Sequence, residues 1–416
     1  MRKCALRRVA GIMVCLFLAG SGMGADWPQF RGPGGQGVSS QTGLPTTWSD
    51  TENLLWKTAL PGGGASSPIY LDGKLYLTCY TGYGQGQGGD ISKLKRHLLC
   101  VDVKDGKVLW NTTVPPCPPE QSRVRDHGYA ASTPATDGKH LYVFFGKCGV
   151  FKFDLAGKEV WQASVGSGTH NWGSGTSPVL CGDVVIVNAS VESKSLVALN
   201  KQTGEEAWRA GGMSMSWNTP HLVDVKGRKE VVVSVKGRVL AFDPATGRKL
   251  WHCRGIPDYV CPSIVSKDGV VYVIGGRQSR ALAIRAGGSG DVTASHKIWE
   301  ARVGANVSSP VAYGEHLYWV SDRNRHAYCL KLADGSIVYD QPFPAPPYAS
   351  MLAAGGKLYV VTRQGGTVVL EAGPKYKVLA TNRLQDRSEF KASPIVADGK
   401  LILRSNRALY CIGARP

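Results

Sequence analysis

Sustained helical periodicity is absent from this chain. No stretch repeats apolar residues at helical spacing, which excludes a helix bundle and a doubly wound α/β layering. Charge is scarce at 19%, and acids are the minority, 31 against 49 basic residues; with 43% hydrophobic residues this excludes a disordered, highly charged chain. There is no Cys-x-x-Cys pair and no zinc-ligand spacing, so no metal site is expected. There is no nucleophile elbow or triad signature, so no catalytic residues are assigned. Beyond the first 24 residues no apolar run is long enough to cross a bilayer as a helix.

What the chain has instead is glycine (52 residues), proline (23) and many short apolar runs between them, the pattern of short strands and tight turns. Its first residues read differently. MRKCALRR is basic, VAGIMVCLFLAG is a short apolar core, and SGMGA is small-residue. That is a secretory signal peptide over residues 1–24, cut after Gly24. Cys15 has no convincing lipobox before it. The expectation is export to the periplasm or the extracellular space. The formal charge of +18 includes four basic residues of this leader and none of its acids, so the remainder carries +14. A basic surface attracts anionic polysaccharide, lipid headgroups or nucleic acid, and export makes nucleic acid the poorest fit.

A repeat organises the rest. A small polar residue, Pro, an apolar run, a Gly turn and a second apolar run recur in SSPIYLDGKLYL, STPATDGKHLYVF, TSPVLCGDVVIVN, NTPHLVDVKGRKEVVV, CPSIVSKDGVVYVI, SSPVAYGEHLYWV and ASPIVADGKLILR. ASMLAAGGKLYVV is an eighth copy without the Pro. A second half-unit closes on an aromatic at Trp110, Trp161, Trp208, Trp251, Trp299 and Tyr339. The seventh copy ends at Ala380 without one, and the eighth stops short at CIGARP. Its missing outer strand stands at the other end of the chain, as NLLWKTAL with Trp56. Two hairpins per unit, with Asp-Gly or Thr-Gly turns, give four antiparallel strands. The expectation is an all-β, eight-bladed β-propeller of four-stranded antiparallel blades over 48–416, closed by an N-terminal strand, after an extension at 25–47. A monomer is expected.

Spacing locates the candidate site. The stretch from Pro68 to Trp110 is the longest of its kind because of the insert at 80–97, and Trp110 to Pro134 and Trp161 to Pro178 are also long. In a blade whose strands run A to D outward, B–C loops and D–A connections share one face. The inserts at 80–97, 111–131 and 162–175 therefore gather on one face over blades one to three. That face also receives Arg125, Asp126, His127 and Tyr129, then His170, Asn171 and Trp172, then Trp217 and Asn218, and further round Tyr259, Asn306, Tyr348, Phe390 and Lys391. Aromatic rings beside Arg, His and Asn suit recognition of sugars, peptides or anionic groups. The insert at 286–297 falls on the opposite face, and its Gly content reads as a flexible loop.

The cysteines give few constraints. Cys100, Cys329 and Cys411 fall in a column that Ala198, Ala241 and Ala283 fill elsewhere, so they read as small core residues. Lys152 takes the same column in blade two, without an evident purpose. Cys253 and Cys261 flank one D–A connection and are the candidate disulfide.

The unit resembles the pyrroloquinoline-quinone-like (PQQ-like) propeller repeat, on its small-Leu-Asp, Thr-Gly and closing Trp pattern, and fits the WD40 repeat less well. DWPQFRGPGGQG, VIVNASVES, YVCPSIV and LYWVSD resemble segments of exported planctomycete propeller proteins. The repeat family includes the propeller lipoprotein of the outer-membrane barrel-assembly machinery, a non-enzymatic scaffold, and the quinoprotein dehydrogenases. The scaffold resemblance implies a binding propeller without a cofactor, engaging a protein or polysaccharide of the cell envelope. The dehydrogenase resemblance implies PQQ held by Ca²⁺ in the channel, with Asp126, Asp258, Glu389, Asn171 and Asn306 as available groups. No motif brings those five together, and the adjacent Cys pair of many such enzymes is absent.

Overall fold

A computed structural model describes residues 27–84 and 89–414. Residues 1–26, which include the expected signal peptide with Cys4 and Cys15, and the tip of the first insert lie outside the described residues. Eight sheets of four core strands each are arranged as blades. The first runs outward through Ile69–Leu71, Lys74–Thr81, Lys95–Asp102 and Val108–Val114. The eighth is completed by Leu54–Ala59, which pairs antiparallel with Ala408–Ile412 and sets Trp56 opposite Cys411. That register repeats around the ring. Trp110 faces Cys100, Trp161 faces Lys152, Trp208 faces Ala198, Trp251 faces Ala241, Trp299 faces Ala283 and Tyr339 faces Cys329. The three Cys of this column are fully buried. Lys152 adapts to it by laying its ammonium 5.9 Å from the Tyr142 ring and donating to the Lys201 carbonyl at 2.9 Å.

The closing Trp and the turn glycine explain each other. The indole N–H of Trp56, Trp110, Trp161, Trp208 and Trp299 donates to a carbonyl of the next blade's outer hairpin turn, at 2.9–3.2 Å. The glycine of that turn lies against the same ring: a Cβ on Gly106, Gly157, Gly204, Gly247 or Gly335 would stand 2.4–2.8 Å from its nearest neighbour. The exceptions follow from this contact. Blade five replaces its outer turn by the insert at 286–297, and there Trp251 donates instead to the buried Glu230 carboxylate at 2.6 Å. Blade eight has no outer turn because its outer strand is Leu54–Ala59, which does not follow Ala408–Ile412 in the chain, and blade seven ends on Ala380.

The insert at 286–297 is not the flexible loop its composition suggests. Gly290–Asp291 runs parallel to the outer strand Lys249–Arg254 of blade four, and Thr293–His296 forms one helical turn. Pairing to the neighbouring sheet's edge holds it in place.

The disulfide expectation is also corrected. Cys253 and Cys261 are both free, and Cys117 is bonded to Cys148. A D–A connection crosses the blade from its outermost to its innermost strand, which separates the first pair. Cys117 and Cys148 lie on adjacent loops of the insertion face, with Cα atoms 5.5 Å apart.

Around the channel, the small polar residue of each repeat forms a closed ring. The backbone N–H of Ser67 donates to the Thr133 hydroxyl, Thr133 to Ser177, Ser177 to Thr219, Thr219 to Ser263, Ser263 to Ser309, Ser309 to Ser350, Ser350 to Ser393 and Ser393 back to Ser67, all at 2.9–3.1 Å. These bonds satisfy the inner backbone N–H groups, which have no further strand to pair with. The ring also resets blade five: Pro262 precedes the ring residue there, whereas Pro follows it in six blades.

Residues 27–47 form a strap across the face opposite the insertions. Trp27 exchanges backbone hydrogen bonds with Tyr70, the Pro28 carbonyl accepts from Thr136, and Gln36 bonds Ser266. Val38–Ser39 pairs parallel with Leu352–Ala354. Arg31 is buried, and its guanidinium donates to the carbonyls of Pro310, Gln36 and Gly35. Gly32 has φ +71°, and a Cβ there would stand 2.6 Å from the Trp27 ring.

Candidate functional site

The strap makes the channel blind. A cavity of about 540 Å³, in the range of small-ligand sites, is lined at its base by Phe30 and by Ser177, Ser263, Ser309, Ser350 and Ser393 of the hydroxyl ring. Toward the insertion face its lining comes from loops and from the first residues of inner strands.

One wall is aromatic. Trp172 packs 5.0 Å from Trp217 and 4.7 Å from Tyr259, with interplanar angles of 52° and 69°. His170 backs both tryptophans at 5.1–5.5 Å. The Trp217 indole donates to the Gly173 carbonyl at 2.9 Å, which ties the 162–175 loop to blade four. Tyr259 and Trp217 are buried and Trp172 is half-buried.

The remaining wall is polar. Arg277 lies 5.1 Å over the Tyr259 ring, and Arg323 donates to the Arg277 carbonyl. Tyr259 in turn donates to Asn306. Asp322 accepts the backbone N–H groups of Asn306 and Val307 at 2.8 and 3.0 Å, and burial raises its pKa despite them. Across the mouth, Asp126 reaches from the blade-two loop to Arg363, which also binds Glu389 at 2.8 Å and covers the Tyr348 ring. Lys391 closes the network against Glu389 and the Asp126 carbonyl. Burial alone would raise the pKa of Asp126, but Arg363 and Lys391 bring it below the usual carboxylate value. His127 is pushed below the ordinary imidazole value by burial, so it is neutral near pH 7.

Nine of the residues expected from sequence line this cavity: Arg125, Asp126, His127, Trp172, Trp217, Tyr259, Asn306, Tyr348 and Lys391. Five do not. Asn218 is fully buried and bonds Ser216 and Ser234, and Phe390 is buried against Tyr410. Tyr129 packs on Tyr80 and donates to the Gln121 carbonyl. Asn171 is exposed and its carbonyl accepts from Arg125, while His170 supports the tryptophans from behind. Sequence reasoning missed Arg277, Asp322, Arg323, Phe30 and the hydroxyl ring. Arg277 and Arg323 sit in short B–C turns on the face already singled out by the long inserts. Surveying every B–C turn, rather than the long ones, finds them.

The groups available for calcium do not form a cage for it. Ca²⁺ takes six to eight oxygen ligands. Asp126 and Glu389 are committed to Arg363 and Lys391, Asp258 accepts backbone N–H groups of Tyr259 and Arg277, and Asn306 accepts from Tyr259. The one ligand-type cluster among the described residues, Cys117, Glu120 and Cys148, contains the disulfide.

A family profile described as outer membrane protein assembly factor BamB matches residues 34–172, 149–297 and 291–373, most of the chain. No curated protein matches the sequence. Among solved structures, the chain is similar to BamB from Moraxella catarrhalis (TM-score 0.59, 12% identity, 86% of this chain and 99% of that one). It is also similar to quinohemoprotein alcohol dehydrogenase from Comamonas testosteroni (TM-score 0.66, 12% identity, 96% and 82%). The C-terminal WD40 domain of Sif2 gives TM-score 0.61 at 11% identity, over 87% and 98%. Identities this low establish the fold alone. No helix among the described residues is long and apolar enough to cross a membrane.

Proposed function

The chain belongs to the outer membrane protein assembly factor BamB family, and we propose that it is an exported, non-catalytic binding propeller whose insertion-face cavity receives an end group of a cell-envelope protein or polysaccharide. Export rests on the leader reading of residues 1–24, and the propeller acts as a monomer without a cofactor. The observation that carries the reading is the convergence of Trp172, Trp217 and Tyr259 with Arg277 and Arg323 on a blind cavity of about 540 Å³. That volume suits an end group, not a folded surface.

The test compares wild type with the Trp172→Ala/Arg277→Gln/Arg323→Gln variant in affinity capture from envelope extracts. Both proteins should melt alike, because Arg277 and Arg323 are exposed and Trp172 is half-buried. The variant should lose the retained partner. Equal retention by the two proteins removes the cavity from the function.

A further inference from the structure

Two features of the cavity keep binding capacity unused among the described residues. Arg125, Arg277 and Arg323 line it, and none makes an ion pair among the described residues. The eight ring hydroxyls each accept one backbone N–H, yet none donates to a protein acceptor among the described residues. Five of these hydroxyls line the cavity. The base therefore presents O–H donors, and the upper wall presents guanidinium groups that have no carboxylate partner among the described residues. Such a lining favours a ligand rich in oxygen acceptors and carrying negative charge.

The aromatic wall narrows the choice. Trp172, Trp217 and Tyr259 meet at 52°, 69° and 89°, so no two are parallel and no flat ring can be sandwiched between them. They form a corner. A puckered sugar ring, with C–H groups on more than one side, fits a corner where a planar aromatic does not. Asn306 and Asp322 beside it offer polar groups to sugar hydroxyls. Phe30 at the base means that the ligand enters from the insertion face and ends inside.

We propose that the cavity holds the terminal residue of an acidic polysaccharide, a sugar carrying a carboxylate. Its C–H face lies on Trp172, its carboxylate meets Arg277 and Arg323, and its hydroxyls accept from the seryl ring. This rests on the reading of the cavity as a binding site and adds the ligand class to it. Arg323 is held by the Arg277 backbone carbonyl and Arg277 by the Tyr259 ring, so each guanidinium is positioned before a ligand arrives.

The experiment titrates the protein with trigalacturonate, with the neutral galactose trisaccharide and with an acidic pentapeptide, read by tryptophan fluorescence and calorimetry. Trigalacturonate should bind at least about tenfold more tightly than the neutral sugar, and salt should weaken it. Arg277→Gln/Arg323→Gln should erase that preference. Ser350→Ala should weaken uronate binding, and Ser350→Thr, which keeps the hydroxyl, should restore it; melting curves identify any variant that fails to fold. Equal affinity for the neutral sugar, or binding of the peptide alone, overturns the proposal. If no probe binds, the proposal also falls, and the capture test then separates two cases. Loss of partner in the Trp172 variant leaves the cavity as a binding site for something else, and retention removes both readings.

Discussion

The two faces of this propeller are built by different means. The insertion face is made of loops that interrupt the repeat, joined to one another by the Cys117–Cys148 disulfide, the Arg96–Glu120 ion pair and the Asp126–Arg363–Glu389 network. The opposite face keeps short hairpin turns except for the 286–297 insert of blade five, and is crossed by a separate segment, residues 27–47, that seats Arg31 among the carbonyls of Gly35, Gln36 and Pro310. One face collects polar groups around an opening, and the other closes the channel. An eight-bladed ring needs neither feature for its own integrity, because the hydroxyl ring and the Trp–Gly contacts already join neighbouring blades. The difference between the faces is therefore what turns a channel into a one-sided cavity.

The largest expected effect breaks the closed side. Trp27 is 2% exposed and pairs with Tyr70, so Trp27→Ala should cost about 3–5 kcal/mol in denaturant unfolding. Hydrogen exchange should then rise along residues 27–47 while the insertion face stays protected. A loss below about 1 kcal/mol, within the range of an ordinary surface change, means that the strap is an accessory to the fold. A smaller effect tests the other face. Replacing Cys117 and Cys148 together by Ser removes a cross-link between loops 31 residues apart in sequence and should cost about 2–4 kcal/mol. Exchange should rise at 111–131 and 146–149, with the strap unaffected. Uniform exchange in both variants would show that the two faces open as one unit.

The repeated half of this architecture was legible in the sequence, and the strap was not. Trp and Thr-Gly recur because each indole must lie on the next blade's turn glycine, so the physical contact is itself periodic. Trp56 could be assigned to the last blade because Ala408–Ile412 lacked an outer partner. Residues 27–47 pair with a different blade at almost every step, and a segment used once leaves no period to find. The site was half legible for the same reason. Long loops stood out as departures from the repeat, which found Trp172 and His127. Arg277 and Arg323 occupy turns of ordinary length and did not stand out. Asn218 and Phe390 were placed at the mouth because they adjoin D–A connections, but the chain there has already turned into the core.

The smallest effect is a pH dependence confined to the open face. Glu192 is 5% exposed, accepts the Ser174 hydroxyl, and makes no ion pair among the described residues. Burial raises its pKa from 4.5 to about 7, and the Ser174 bond offsets only part of the shift. Below pH 4.5 the carboxyl is protonated in both folded and unfolded chains, and its contribution is fully present. Between 4.5 and about 7 the unfolded chain releases the proton while the folded one keeps it, so stability falls as pH rises. Above that window both forms are ionised and the loss is complete, at most on the order of 3 kcal/mol. Glu192→Gln keeps an acceptor for Ser174 without a titrating proton and should flatten the decline. Gly168 donates to the Glu192 carbonyl, and Gly173, beside Ser174, anchors Trp217, so the strain of ionisation falls on the loop that carries Trp172. Protection against hydrogen exchange at 162–175, corrected for the intrinsic pH dependence of amide exchange, should fall between pH 5 and pH 7 in the wild type and not in the variant. An identical pH profile in both proteins assigns the titration to another group and leaves the insertion face held as rigidly as the strapped one.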